Sequence, residues 1–170
     1  MSEEETDDEG LAIRPATPAD RRDVLRIARG IVEDGTTYAF PPETSDQELI
    51  EYFLAPESPS FVAEREGSIV GCYVLRANRA GRGSHVANAS YAVDGGAQGS
   101  GVGYAMGLHS LAEARRRGFL AMQFNFVVAT NERAVALWQR LGFETVGRLP
   151  RAFRHPTRGL VDALVMHRFL

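Results

Sequence analysis

Apolar positions recur along this chain with two periods, and the changes from one to the other outline its elements. Residues 11–16, LAIRPA, read as a short first strand closed by Pro15 and Pro18. Over 19–34, Val24, Leu25, Ile27, Ala28, Ile31 and Val32 share one face of a helix that starts near Thr17 or Asp20. The loop GTTYAFPPE leads to a second helix over 44–54, with Thr44 or Ser45 as its N-cap. SFVAERE, the turn Glu66-Gly67-Ser68 and IVGCYVLRAN form a hairpin, and HVANASYAV (85–93) is the next strand. Residues 101–117 carry Val102, Ala105, Met106, Leu108, Leu111 and Ala112 on a helical face and stop at Gly118. FLAMQFNFVV is a strand, NERAVALWQRLGF a helix from Asn131 to Gly142, and FETVGRL and LVDALVMHRFL are two closing strands. The order β-α-α-β-β-β-α-β-α-β-β predicts an α/β sandwich around one mixed sheet. Without repeats or an internal boundary, residues 11–170 read as a single domain.

Charge changes this picture at one end only. Residues 3–9 hold six acids, and residues 1–10 are expected to be a disordered, solvated tail. That charge is wrong for a secretory or mitochondrial leader, so a cytoplasmic protein is the expectation. Setting the tail aside turns 22 acids against 19 bases into 16 against 19, since six of the acids lie in it. The folded part is then mildly basic, which suits a small anionic ligand but not a nucleic acid. No apolar run approaches the ~18–20 residues of a membrane span. All 19 basic residues are Arg, which excludes a Schiff-base or P-loop lysine. The lone Cys72 lies in a buried-strand pattern and reads as core. The four histidines, His85, His109, His155 and His167, have no metal-ligand spacing, and no metal is expected.

The stretch YAVDGGAQGSGVGYAM (91–106) holds five glycines between Gly95 and Gly103. A plain flexible turn is one reading, but the long apolar face of the following helix argues against it. A dinucleotide fingerprint is another, from Gly99 and Gly101. It requires an acid about 20 residues on, and Asp and Glu are absent from 114 to 131. The third is Q-x-x-G-x-G, Gln98 to Gly103, opening a helix in mid-chain. A helix N-terminus leaves up to four N–H groups without partners and carries partial positive charge. Glycines let a diphosphate approach that backbone. This loop reads as an anion site, with the cofactor undetermined.

Downstream, N-x-x-A-x-x-L-W-x-x-x-G-F runs from Asn131 through Ala134, Leu137 and Trp138 to Gly142-Phe143. Alone it is an N-capped amphipathic helix with a glycine stop. Taken with Q-x-x-G-x-G one strand earlier, it resembles the GNAT N-acetyltransferases across roughly residues 11–170. The resemblance implies a mixed, mostly antiparallel sheet splayed in a V, with helices on both faces and acetyl-CoA in the gap. The pyrophosphate would lie on Gln98, Gly99, Ser100, Gly101, Val102 and Gly103, with Tyr104 beside it. The pantetheine would pass Tyr91, Ala92 and Val93, where a backbone N–H near Val93 polarises the thioester carbonyl. Asn131 and its helix would wall the other side. Many relatives have Tyr where this chain has Trp138, so Trp138 reads as a wall and the proton donor to the leaving thiolate is open. The run RRR at 115–117 favours its helix dipole or serves the 3′-phosphate of CoA. Dimerisation is an expectation from the family alone.

Two amides sharpen the acceptor side. Asn88 and Ser90 share a face of one central strand, and Gln123 and Asn125 share a face of the other, opposite Leu120, Met122, Phe124 and Phe126. An unpaired buried amide costs ~1–3 kcal/mol. The alternatives are therefore a hydrogen bond inside the sheet or a grip on the acceptor. HVANASYAVDGGAQGSGVG with MQFNFVVATNERAVALWQRLGF and PRAFRH resembles the proline-analogue acetyltransferases, which implies substrate-binding or catalytic roles for Asn88 and Asn125. EDGTTYAFPPETS resembles the acceptor side of phosphinothricin-type acetyltransferases, so Tyr38 and Phe40 would wall the acceptor, with His155 approaching it. The expected activity is acetyl transfer to a small amino or cyclic imino acid. A peptide or protein N-terminal acetyltransferase and a non-catalytic acyl-CoA sensor are the alternatives.

Overall fold

The computed structural model describes residues 10–170. The expected acidic tail falls, but for Gly10, outside the described residues. Seven strands make one sheet in the order β1-β2-β3-β4-β5-β7-β6. They are β1 (Leu11–Pro15), β2 (Ser60–Arg65), β3 (Ser68–Ala77), β4 (Val86–Val93), β5 (Ala121–Val128), β6 (Glu144–His155) and β7 (Gly159–Phe169). Every pairing is antiparallel except β4 with β5. That parallel pair is joined at two positions only, Val86↔Ala121 and Ala87↔Met122. Beyond them the two strands part, which is the expected V.

Helices cover both faces. On one, α1 (Arg21–Asp34) and α2 (Asp46–Phe53) bury Val24, Ile27, Ala28, Leu49 and Phe53 against Val62, Cys72, Val74 and Ala92. On the other, α3 (Val102–Arg116) and α4 (Glu132–Arg140) cover Tyr73, Leu75, Met122 and Phe124. The face of α3 differs from the predicted one. Val102, Met106, Gly107, Ser110, Leu111 and Ala114 are buried, whereas Leu108 is 47% exposed. The small residues decide this. A side chain at Gly107 would collide with Leu141 and come within 3.3 Å of Trp138 Cζ3, so only hydrogen there lets α4 lie so close.

Two irregular strands also depart from the simple periods. In β5 the partners jump from Phe124↔Met166 to Val127↔Leu164, one extra residue on β5. Phe124 stays buried while Phe126, expected on the same face, is 37% exposed. The predicted strand 143–149 continues to His155, because Pro150 lies on an edge strand and a second irregularity between Leu149 and Phe153 absorbs it.

The start of α1 is tied to β1 by charge. Asp20, 5% exposed, accepts from Arg14 through both oxygens at 2.8 and 2.9 Å and from Thr17 N–H at 2.7 Å. The Arg14 guanidinium holds its carboxyl down to about 2, against desolvation. A depressed folded-state value adds stability above the unfolded-state range near 4, and that stability is lost as pH falls toward 2. Asp20→Asn is therefore expected to cost about 1–2 kcal/mol at neutral pH, after discounting for half-exposed Arg14. The difference from wild type should vanish near pH 2 in denaturant titrations.

Candidate functional site

The parting of β4 from β5 leaves backbone groups without a ladder. Asp94 N–H donates to Val70 C=O, which sets the alternation along the β3–β4 pair. Ala92, Ser90 and Asn88 then turn their N–H and C=O groups toward β3. Ala89, Tyr91 and Val93 turn theirs toward β5, which has diverged. A cavity of about 780 Å³ occupies the gap. Tyr91, Ala92 and Val93 line it, with Phe124 to Val128 opposite.

One end of the cavity is the glycine loop. Gly99 and Gly101 have φ of +77° and +84°, conformations that L side chains adopt only under strain. Gly101 is the N-cap of α3 and makes no side-chain cap. Two of the other helices that border the gap, α2 and α4, are different. Ser45 closes a capping box on α2, and Asn131 Oδ1 accepts from Ala134 N–H on α4 at 3.3 Å. The N–H groups of the first turn of α3 are thus left for a ligand, at the positive end of its dipole. Gln98, Gly99, Gly101, Gly103 and Tyr104 line the cavity. Ser100 and Val102 do not. Ser100 Oγ donates to Ala97 C=O and accepts from Arg65, and Val102 is 1% exposed against the sheet.

Asn131, Ala134, Leu137 and Trp138 of the α4 segment form the adjoining wall. Trp138 is nearly buried, its ring 4.8 Å from Tyr91 and 4.6 Å from Phe124. Arg133, unremarked in the sequence, joins this wall, its Nη1 3.8 Å from where a Cβ on Gly99 would stand. Its one sequence signal is a cation in the first turn of a helix, against the dipole unless an anion is near.

The other end is amide, hydroxyl and aromatic. Asn88 and Asn125 both line it. Asn88 Nδ2 donates to Gln123 C=O at 2.9 Å, bridging the strands just past their last ladder pair. Asn125 Oδ1 accepts from Gln123 Nε2 at 3.0 Å, and its Nδ2 donates to Asn78 Oδ1 at 2.6 Å. The sheet-internal bonds anticipated for these amides exist, yet capacity remains. Asn88 Oδ1 has no partner among the described residues, and Asn125 keeps one N–H. The period of two already placed Gln123 beside Asn125, but Asn78 carries no sequence signal for this arrangement, since its contact with Asn125 spans 47 residues.

Tyr38 and Phe40 line this end, stacked 5.3 Å apart and packed on Tyr52 and Phe53 of α2. Tyr52 O–H and Ser90 Oγ share a 2.8 Å hydrogen bond. Tyr38 O–H donates to Tyr91 C=O at 2.8 Å, and burial raises its phenol well above the usual range, so it acts as a neutral donor. Tyr38→Phe should cost about 1 kcal/mol in denaturant unfolding, since the Tyr91 carbonyl loses its partner. His155 is not part of the cavity lining. It ends β6, and its Nδ1 accepts from the N–H groups of Thr157 and Arg158 at 3.2 Å each, holding the hairpin turn. Cys72 is buried away from the cavity, its thiol pushed up to about 12 by desolvation, so no nucleophilic sulfur is offered.

The family model described as Acetyltransferase (GNAT) family matches residues 26–143, from α1 through both motifs. The chain is 28% identical over 151 residues to N-acetyltransferase aca1 of Schizosaccharomyces pombe, covering 79% of this chain and 72% of that protein. The solved structure of a GCN5-related N-acetyltransferase from Kribbella flavida superposes with a TM-score of 0.92 at 44% identity, over 95% of this chain and 99% of that one. A phosphinothricin acetyltransferase from Sinorhizobium meliloti, solved with AcCoA, shares the fold at 24% identity with a TM-score of 0.83, over 95% and 89% of the two chains. With the match spanning both the parted strands and the uncapped helix, this chain belongs to the acetyltransferase (GNAT) family and is an acetyl-CoA-dependent N-acetyltransferase.

Proposed function

We propose that the protein acetylates the amine of a small amino or cyclic imino acid, by direct attack within a ternary complex. One observation carries this reading: Asn88 and Asn125, one from each parting strand, line the same cavity as the uncapped α3 N-terminus. The anion end suits a diphosphate, with Arg133 supplying a cation. The amide end suits a compact polar acceptor. The bound co-substrate supplies an activated acyl carbon. The N–H groups of Tyr91 and Val93, turned into the gap, are the donors that would polarise its carbonyl. The acceptor amine attacks as the free base, so much of the rate comes from holding it in line. Trp138 is no acid, but a thiol with a pKa near 8.5 departs unprotonated at pH 7 at a cost of only about 2 kcal/mol.

The test is CoA-thiol release from acetyl-CoA against azetidine-2-carboxylate, hydroxyproline, primary amino acids, phosphinothricin and a short peptide. Release with the cyclic secondary amines supports the reading. Release only with primary amino acids or the peptide removes the cyclic acceptor, and acetyl-CoA binding without any release removes the small-amine reading.

A further inference from the structure

The cavity lining carries charge of both signs, from separate elements. Arg133 lies by the glycine loop, and Asp34, at the end of α1, lines the acceptor end in the segment that carries Tyr38 and Phe40. Among the described residues Asp34 is the only carboxylate of the lining, and no imidazole joins it. It is also the one described aspartate without an arginine partner. Asp20 pairs with Arg14, Asp23 and Asp94 with Arg26, Asp46 with Arg29 and Asp162 with Arg148. The carboxylate is nevertheless aimed. Thr36 N–H donates to Oδ2 at 3.2 Å and the Thr36 hydroxyl donates to the same oxygen, leaving Oδ1 without a described partner. Pro156 of the β6–β7 turn approaches the next residue, 3.4 Å from where a Cβ on Gly35 would stand. Asp34 thus stands where the α1–α2 loop meets that turn.

We infer that Asp34 is a cation subsite of the acceptor pocket, recruiting the protonated amine of the incoming acceptor and disfavouring acceptors of net negative charge. This rests on the reading that the cavity takes an amine. An amine is an ammonium ion in neutral solution, and the glycine-loop end, where Arg133 sits, would repel it. A fixed, unpaired carboxylate on another element of the lining gives it a counter-charge before deprotonation. The competing role is structural: Asp34 caps Thr36 in the turn after α1. Asparagine retains that acceptor oxygen and removes only the charge.

The experiment is steady-state CoA release by wild type and Asp34→Asn with azetidine-2-carboxylate and with its carboxamide, a cation, at low and high salt. Asp34→Asn is expected to raise the acceptor KM about fivefold, more for the carboxamide, with kcat and the acetyl-CoA KM nearly unchanged. Wild-type kcat/KM for the carboxamide should fall with salt and the variant's should not. An unchanged acceptor KM in a variant that melts like wild type overturns the subsite and leaves the small-amine reading standing. A salt-independent wild type overturns it by a second route. No release by wild type with these two acceptors or with any primary amino acid of the panel above, acetyl-CoA being bound, defeats the small-amine reading and the subsite with it.

Discussion

Gly101→Val is expected to raise the dissociation constant for acetyl-CoA by on the order of 100-fold while the protein stays folded. Gly101 has φ of +84° at the N-cap of α3, and nothing of the protein lies within 4 Å of the place a Cβ would take. A branched side chain there meets strain of roughly 1–2 kcal/mol but no clash. It enters the space through which a diphosphate would reach the first-turn N–H groups of α3. Gly67, in the β2–β3 turn, is the matched control. Its φ is +77°, it too faces open space, and it lies outside the cavity. Gly67→Val should lose similar stability and no affinity. Calorimetric titration of both variants with acetyl-CoA checks this. Equal, wild-type-like binding by the two would show that the loop does not hold the diphosphate.

Asn125→Ala is expected to lower kcat by about 100-fold and leave acetyl-CoA affinity within a few-fold of wild type. The side chain is exposed within the cavity, so its removal strands no buried group. Asn88→Ala should slow turnover too, but it also leaves the Gln123 carbonyl without the 2.9 Å donor that spans the parting strands. That variant should therefore lose about 1–2 kcal/mol of stability as well, which makes Asn125 the cleaner probe. A collapse of acetyl-CoA affinity in Asn125→Ala, with turnover per bound co-substrate unchanged, would reverse the division of labour between the two ends of the cavity.

Several elements were legible because their causes are local. Of the two N-caps expected for α2, Thr44 or Ser45, it is Ser45, and Glu48 three residues on completes a capping box with it. Gly101 and Gly142 punctuate helices where a positive φ is required, and both have one. The order of strands and helices followed from periodicity, and the two motifs named the family. Other features escaped because long-range packing sets them. The face of α3 turned on Gly107 meeting Leu141 and Trp138 across two helices, which no period within α3 reveals. Phe126 left the core through one extra residue in β5, a register decision shared with β7. His155, expected to approach the acceptor, instead ends β6, which continues past Pro150 because it is an edge strand.

The same division holds at the site. By itself the sequence determined that a helix opens on bare glycine backbone, that two amides interrupt the central strands, and that no lysine or exposed thiol is present to attack. Each depends on residue types at short spacing. The tertiary structure alone decided that these features share one cavity, that Asn88 and Asn125 are linked through Gln123, and that Arg133 and Asp34 join its lining from α4 and from the end of α1. The reason is geometric. Two strands paired at only two positions must diverge, and the residues brought to the gap come from segments that the sequence keeps apart.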